Sequence, residues 1–254
     1  VKDQRIGGEC PGNQGKEIEL MRILVVFAHP DDEAFGPGGT LSRYSLTGHT
    51  VRLVTMTQGE AGTLGPAKHL DRSALARLRT DELRCSARAL HLSSQAIYSL
   101  PDGMLAQLPA EKGLEILRKE IETFRPEALV TFHSGGISGH PDHQTVSQWC
   151  LQAVRERDSR GPRLFVFGIS PEMASRVVHR KLTPIPEDEI THILDVAAYL
   201  EYKLAAIRCH HSQSESWERI KTVQGGIESY IHKEHFSQVW PQSKPPVILD
   251  RLED

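Results

Sequence analysis

From residue 21 onward, short apolar runs alternate with longer amphipathic stretches, and this alternation leaves the chain few architectures to choose from. The run RILVVFA at 22–28 is continuous and β-rich, the pattern of a strand buried on both faces of a parallel sheet. A helix is predicted over 33–47, with Gly36, Pro37, Gly38 and Gly39 weakening its first turns. VRLVTMT at 51–57 reads as the second strand, followed by a glycine-rich loop over 58–66. Leu75, Leu78, Leu83, Ala87 and Leu90 recur at helical spacing within 71–90. A third strand over 96–100 stops at the turn signature Pro101-Asp102-Gly103. A helix over 111–124, a fourth strand over 128–132, a helix over 145–157 and a fifth strand over 164–167 complete the series. Such regular succession predicts a Rossmann-like, three-layer α/β sandwich with a mostly parallel sheet and right-handed crossovers. The chain from 171 is less regular, with Pro184 and Pro186, an apolar run over 192–196 and a helix over 197–209. It reads as a C-terminal embellishment or lid.

Residues 1–20, rich in glycine and charge, read as a flexible leader or added extension, and 21–254 as a single domain. The leader has no apolar core and so is not a secretory signal. A net charge of -3 supplies no long-range attraction for nucleic acid or an anionic membrane. No apolar run approaches the roughly 20 residues that a membrane-spanning helix needs. Cys10, Cys85, Cys150 and Cys209 are widely separated and form no C-x-x-C pair. They are expected to be reduced thiols in a cytoplasmic protein, with Cys85 and Cys150 serving as small apolar fillers of helices. Oligomeric state is not legible; a homo-oligomer is compatible with the sequence.

Two clusters carry chemistry: His29-Pro30-Asp31-Asp32-Glu33 directly after the first strand, and His140-Pro141-Asp142-His143 shortly after the fourth. Taken singly, each has an ordinary reading, Asp31 or Asp32 as a helix cap and the histidines as loop residues. Together they say more. In an open α/β sheet of order 3-2-1-4-5, strands one and four are neighbours at the point where strand order reverses, beyond whose carboxyl ends ligands bind. Three protein ligands with a position left for water is the usual catalytic zinc arrangement, and His29, Asp32 and His143 can supply it. Asp31, adjacent but not needed as a ligand, is the candidate general base, and His140 can stand beside the metal. His/Asp ligation also admits another divalent ion such as iron(II).

Gly36-Pro37-Gly38-Gly39 lacks dinucleotide-binding spacing, and the acidic residues before it would repel a pyrophosphate. Ser42, Ser45 and Ser134 lack a nucleophile elbow. His49, His69, His91, His133, His179, His192, His211, His232 and His235 have no partner at ligand spacing and read as surface or core residues.

H-P-D-D-E after one strand with G-H-P-D-H after a later one resembles the LmbE-like family, relatives of N-acetylglucosaminylphosphatidylinositol de-N-acetylase. Supporting motifs are Thr57-Gln58-Gly59-Glu60, Arg79-Thr80-Asp81-Glu82-Leu83, Pro101-Asp102-Gly103, Lys203 and His210-His211-Ser212-Gln213, in order from Met21 onward. The resemblance implies a zinc-dependent hydrolase that removes the N-acetyl group from a small N-acetylglucosamine-containing conjugate. It makes His29, Asp32 and His143 the metal ligands and Asp31 the base. His140 would stabilise the oxyanion or protonate the departing amine, and Asp142 would orient a histidine. Arg79 and Asp102 would contact the sugar, and His210 matches a late histidine near the substrate. Ser138 departs from relatives that carry a tyrosine two residues before the equivalent of His140. An amidase acting on thiol–sugar conjugates and a non-catalytic sugar-binding module are the alternatives.

Overall fold

The computed structural model describes residues 20–65, 69–157, 161–177, 180–215, 218, 226, 231–243 and 249–252. The expected leader therefore lies outside the described residues apart from Leu20, and so do Cys10 and His179. In chain order the elements are β1 (Arg22–Phe27), α1 (Asp32–Phe35), α2 (Gly38–Leu46), β2 (Thr50–Thr57), α3 (Arg72–Ala89) and β3 (Ser94–Leu100). They continue with α4 (Ala110–Phe124), β4 (Ala128–Phe132), α5 (Gly136–Gly139), α6 (Pro141–Arg155), β5 (Arg163–Gly168) and α7 (Pro171–Ser175). After these come β6 (His192–Asp195), α8 (Leu200–Cys209) and β7 (Lys233–Trp240).

The sheet runs β3-β2-β1-β4-β5-β7-β6, so the expected 3-2-1-4-5 order is present and two strands extend it. β1 to β5 are parallel, with Ile23 opposite Ala128 and Val25 opposite Val130 across the β1–β4 switch point. β7 is antiparallel to both β5 and β6 and carries the C-terminal segment back onto the sheet. Every residue of β4, and all of β1 except Arg22, is buried, which explains the apolar run over 23–27 and a β4 in which Thr131 alone is polar, its hydroxyl donating to the Val26 carbonyl at 2.9 Å.

Local chemistry revises several expected boundaries. The helix expected over 33–47 is two helices. The N–H of Gly36 bonds to the carbonyl of Asp32 and closes α1 one residue before Pro37, where a following proline disfavours helical backbone. α6 begins at Pro141, four residues earlier than its apolar spacing suggests. His140 caps it, its ring accepting the Asp142 N–H at 3.2 Å, and Pro141 takes the first turn, where its missing N–H costs nothing. Asp71 caps α3 in the same way, accepting the Ala74 N–H at 2.7 Å.

One expectation is overturned. Cys85 and Cys209 are joined by a disulfide that ties α3 to the end of α8, with their Cα atoms 5.7 Å apart. These cysteines are 124 residues apart, and only the packing of α8 on α3 brings them together. The reduced-thiol argument for a cytoplasmic protein fails for this pair. Cys150 is a free buried thiol, its pKa pushed up to about 12 by burial. Among the described residues no helix is long and apolar enough to cross a membrane.

α4 packs on α6 at Gly113, where an added Cβ would lie 2.1 Å from Trp149 Cε3. Gly113→Ala is therefore expected to destabilise the fold by about 1–3 kcal/mol through overpacking. This exceeds the gain in helix propensity of at most about 1 kcal/mol. Urea unfolding of the two proteins measures the difference.

Candidate metal and catalytic site

The tips of β1 and β4 lie side by side, and the two His/Asp segments meet there. His29 Nδ1 is 3.2 Å from His143 Nε2 and 3.5 Å from Asp32 Oδ2, and His143 Nε2 is 3.2 Å from Asp32 Oδ1. All three side chains are about nine-tenths buried. Both imidazoles are oriented from behind. His29 Nε2–H points to Asp102 Oδ1 at 3.0 Å and Asp142 Oδ2 at 3.1 Å, and His143 Nδ1–H to the Gly136 carbonyl at 3.2 Å. When both rings are neutral, those bonds leave His29 Nδ1 and His143 Nε2 as lone pairs facing each other, an arrangement that a cation between them stabilises.

The spacing fits such an ion. Ligand atoms about 2.0–2.1 Å from a tetrahedral zinc lie about 3.3–3.4 Å apart, close to the separations found here. His29, Asp32 and His143 thus form a group able to hold a metal ion, and His29, His140 and Asp142 form a second, overlapping one. In the second group, His29 Nε2 and Asp142 are already bonded to each other, and Asp142 also accepts the N–H groups of Gly103 and Leu105 at 2.7 and 3.0 Å. Those bonds make Asp142 an orienting carboxylate, so the first group is the better donor set. Phe132 stacks flat on His143, with ring centroids 3.9 Å apart, and fixes its ring plane.

Electrostatics separate the two adjacent aspartates. Burial works against the charge on Asp32, but His143 and His29 outweigh it and hold the carboxyl well below the usual range. Burial likewise opposes charge on His29, and its hydrogen bonds to Asp102, Asp142 and Asp32 prevail, raising its pKa well above the ordinary value. Asp31 goes the other way: burial pushes it up to about 6, opposed chiefly by Arg79. His140 lies below the ordinary histidine value through burial and the neighbouring His143 and His29, so its ring is neutral. Because His140 Nδ1 accepts the Asp142 N–H, its hydrogen is on Nε2.

A cavity of about 1030 Å³ opens over this cluster, lined by His29, Asp31, Asp32, His140 and His143 together with Arg79 and Asp102. The last two are expected sugar contacts, yet Nη1 and Nη2 of Arg79 and both carboxylate oxygens of Asp102 are engaged by protein, and Arg79 Nε is buried without a hydrogen-bond partner. Arg79, 3% exposed, donates to the carbonyls of Gly59 (2.7 Å) and Pro30 and to Asp31 Oδ2 at 3.0 Å. Asp102 accepts the Ala61 N–H at 2.7 Å on the oxygen not facing His29. His210 is not brought to the cavity; it is 1% exposed, with Nε2 2.6 Å from Glu33 Oε1. Two buried carboxylates escape sequence reasoning, Glu33 and Glu234, the partner of Lys203. Lys203 Nζ donates to Glu234 Oε1 at 2.6 Å and to the Gly36 carbonyl at 2.7 Å, fastening β7 to the α1–α2 corner. The signal for Glu33 was its place inside the first motif; Glu234 had none.

Arg79→Ala leaves the carbonyls of Pro30 and Gly59 without their donor and Asp31 without its counter-charge. Breaking a buried ion pair from one side costs about 3–5 kcal/mol, and a loss near the lower figure is expected because Asp31 keeps some solvent contact. The urea midpoint reads it.

The profile of the family described as "PIG-L: GlcNAc-PI de-N-acetylase" matches residues 24–154. A 1D-myo-inositol 2-acetamido-2-deoxy-alpha-D-glucopyranoside deacetylase of Kineococcus radiotolerans is 30% identical over 247 residues, covering 76% of this chain and 68% of that protein. Among solved structures, the N,N'-diacetylchitobiose deacetylase of Pyrococcus horikoshii superposes with a TM-score of 0.63 at 23% identity, covering 89% of this chain and 88% of the other. The 4-carboxy-2-hydroxymuconate hydratase GalB of Pseudomonas putida KT2440 superposes with a TM-score of 0.68 at 19% identity, covering 90% and 100%. A deacetylase and a hydratase thus share this fold, and the reaction has to be argued from the site.

Proposed function

Because the chain belongs to the PIG-L family of GlcNAc-PI de-N-acetylases, we propose that it is a zinc-dependent hydrolase that removes the acetyl group from a small N-acetylglucosamine conjugate. The observation that carries this reading is the convergence of His29, Asp32 and His143 on one point, with Asp31 beside it, in the floor of the cavity.

His29, Asp32 and His143 would hold the metal, which when bound lowers the pKa of water and polarises a carbonyl. Asp102 and Asp142 keep the His29 ring turned so that Nδ1 would be free to hold the metal, and the Gly136 carbonyl does the same for His143 Nε2. Asp31 accepts a proton from the attacking water. Arg79 keeps its carboxylate ionised and aimed. His140, neutral and carrying its hydrogen on Nε2, donates to the oxygen that gains charge as the amide carbonyl becomes tetrahedral. Asp31 then returns its proton to the departing nitrogen, so that water and amide become acetate and free amine.

Purified protein loaded with zinc is expected to release acetate from N-acetylglucosaminyl-inositol and from simpler N-acetylglucosaminides. Measuring the acetate and the new primary amine in equal amounts checks the reaction. A zinc-loaded protein that releases neither would overturn it.

A further inference from the structure

Behind the metal-ligand cluster lies a buried polar group that the chemistry above does not use. Glu33 is fully buried and collects three donors. Its Oε2 accepts the Asp31 N–H at 3.1 Å, and its Oε1 takes Ser86 Oγ and, at 2.6 Å, His210 Nε2. The N–H that Glu33 holds belongs to a strained residue. Asp31 has φ 111° and ψ -25°, a left-handed conformation that a non-glycine residue keeps only where its surroundings over-determine it.

The two side-chain partners of Glu33 come from α3 and from the residue after α8, and each directly follows a half-cystine. Cys85 precedes Ser86, and Cys209 precedes His210. One turn earlier on α3, Glu82 accepts both the N–H and the hydroxyl of Ser212 at 2.7 Å. The covalent link therefore sits at the point where α3 and residues 209–212 are locked together. Ser86 and His210 are buried, whereas Cys85 and Cys209 are part-exposed residues.

We propose that Glu33 is a positioning residue that sets the backbone of Asp31, and that the Cys85–Cys209 disulfide keeps Ser86 and His210 in register to hold Glu33, so that the site responds to reduction. The catalytic consequence rests on Asp31 acting as the base. On reduction the S–S bond breaks and takes up two electrons and two protons to give two thiols. A phosphine reductant supplies the electrons and leaves as its oxide, with the oxygen drawn from water.

The test treats the zinc-loaded full chain with tris(2-carboxyethyl)phosphine, confirms by thiol titration that the disulfide has opened, and follows amide hydrogen exchange together with kcat and KM for acetate release. Exchange is expected to rise severalfold in 31–33 and to stay unchanged in β4, and kcat to fall severalfold at unchanged KM and zinc content. A C85S/C209S variant is expected to show the lowered kcat from the start and no response to the phosphine. E33Q, whose amide oxygen can still accept the Asp31 N–H, is expected to keep more of kcat than E33A. Unchanged exchange in 31–33 after verified reduction overturns the proposal, as does unchanged kcat in an enzyme active beforehand. Exchange that rises in β4 as much as in 31–33 also overturns it, because the disulfide is then merely a general stabiliser. If exchange responds as expected but the oxidised protein never releases acetate, the deacetylase reading fails and the backbone-positioning role of Glu33 stands.

Discussion

Asp31→Asn is expected to lower kcat for acetate release by about two to four orders of magnitude, the range that a positioned general base contributes. Asparagine preserves the size of the side chain and can still accept from Arg79, so fold, zinc content and KM are expected to stay near wild type. Steady-state kinetics with metal analysis of the same preparation separates this result from loss of the ion. The wild-type pH profile carries the same argument. With burial pushing Asp31 up to about 6, the base is protonated and activity is lost as pH falls through that value. A bound divalent cation favours the carboxylate, so the acid limb is expected at or below pH 6. Arg79 is the main group pulling this pKa down, and in Arg79→Met the limb is expected to move upward. An acid limb that does not move would remove Arg79 from this role.

The second large effect concerns the ion. His143→Ala would remove one of the three proposed ligands and leave His29 and Asp32 facing solvent in a wider gap. Removing a group that only orients a ligand typically costs 10–100-fold in affinity or activity, and Asp142→Asn is expected to fall within about that range. Loss of the ligand itself is expected to exceed it: zinc falls below stoichiometry after dialysis, and turnover drops more than about 100-fold. Metal analysis and acetate release on the two variants give the comparison. If His143→Ala retains full zinc and Asp142→Asn loses it, the overlapping group formed by His29, His140 and Asp142 is the true site.

Much of the fold was legible because strands buried on both faces are dominated by apolar residues, as in 23–27 and 128–132, and because the helices between them keep a clear period. β7 was not legible. Its sequence KEHFSQVW is largely polar, and Glu234 is buried only because Lys203 and the N–H groups of Gly39 and Thr40 meet it there. The meeting of the two histidine segments followed from topology, since strand order alone makes the β1 and β4 tips adjacent. What spacing could not reveal was whether a polar group is free or already engaged. Arg79 and Asp102 line the cavity, yet Nη1 and Nη2 of Arg79 face Pro30, Gly59 and Asp31, and the Asp102 oxygens face His29 and Ala61. His210, adjacent to a half-cystine, was drawn into the interior by Glu33. The disulfide itself depends on the packing of α8 against α3, a long-range contact with no signature in the local pattern.

The central claim is that two segments far apart in the chain hold one catalytic ion between them. It is tested most directly by stripping the protein with a chelator and titrating zinc back while following acetate release. Turnover is expected to vanish on stripping and to return in proportion to zinc until one ion per chain is bound. Turnover that survives complete removal of metal would contradict the account.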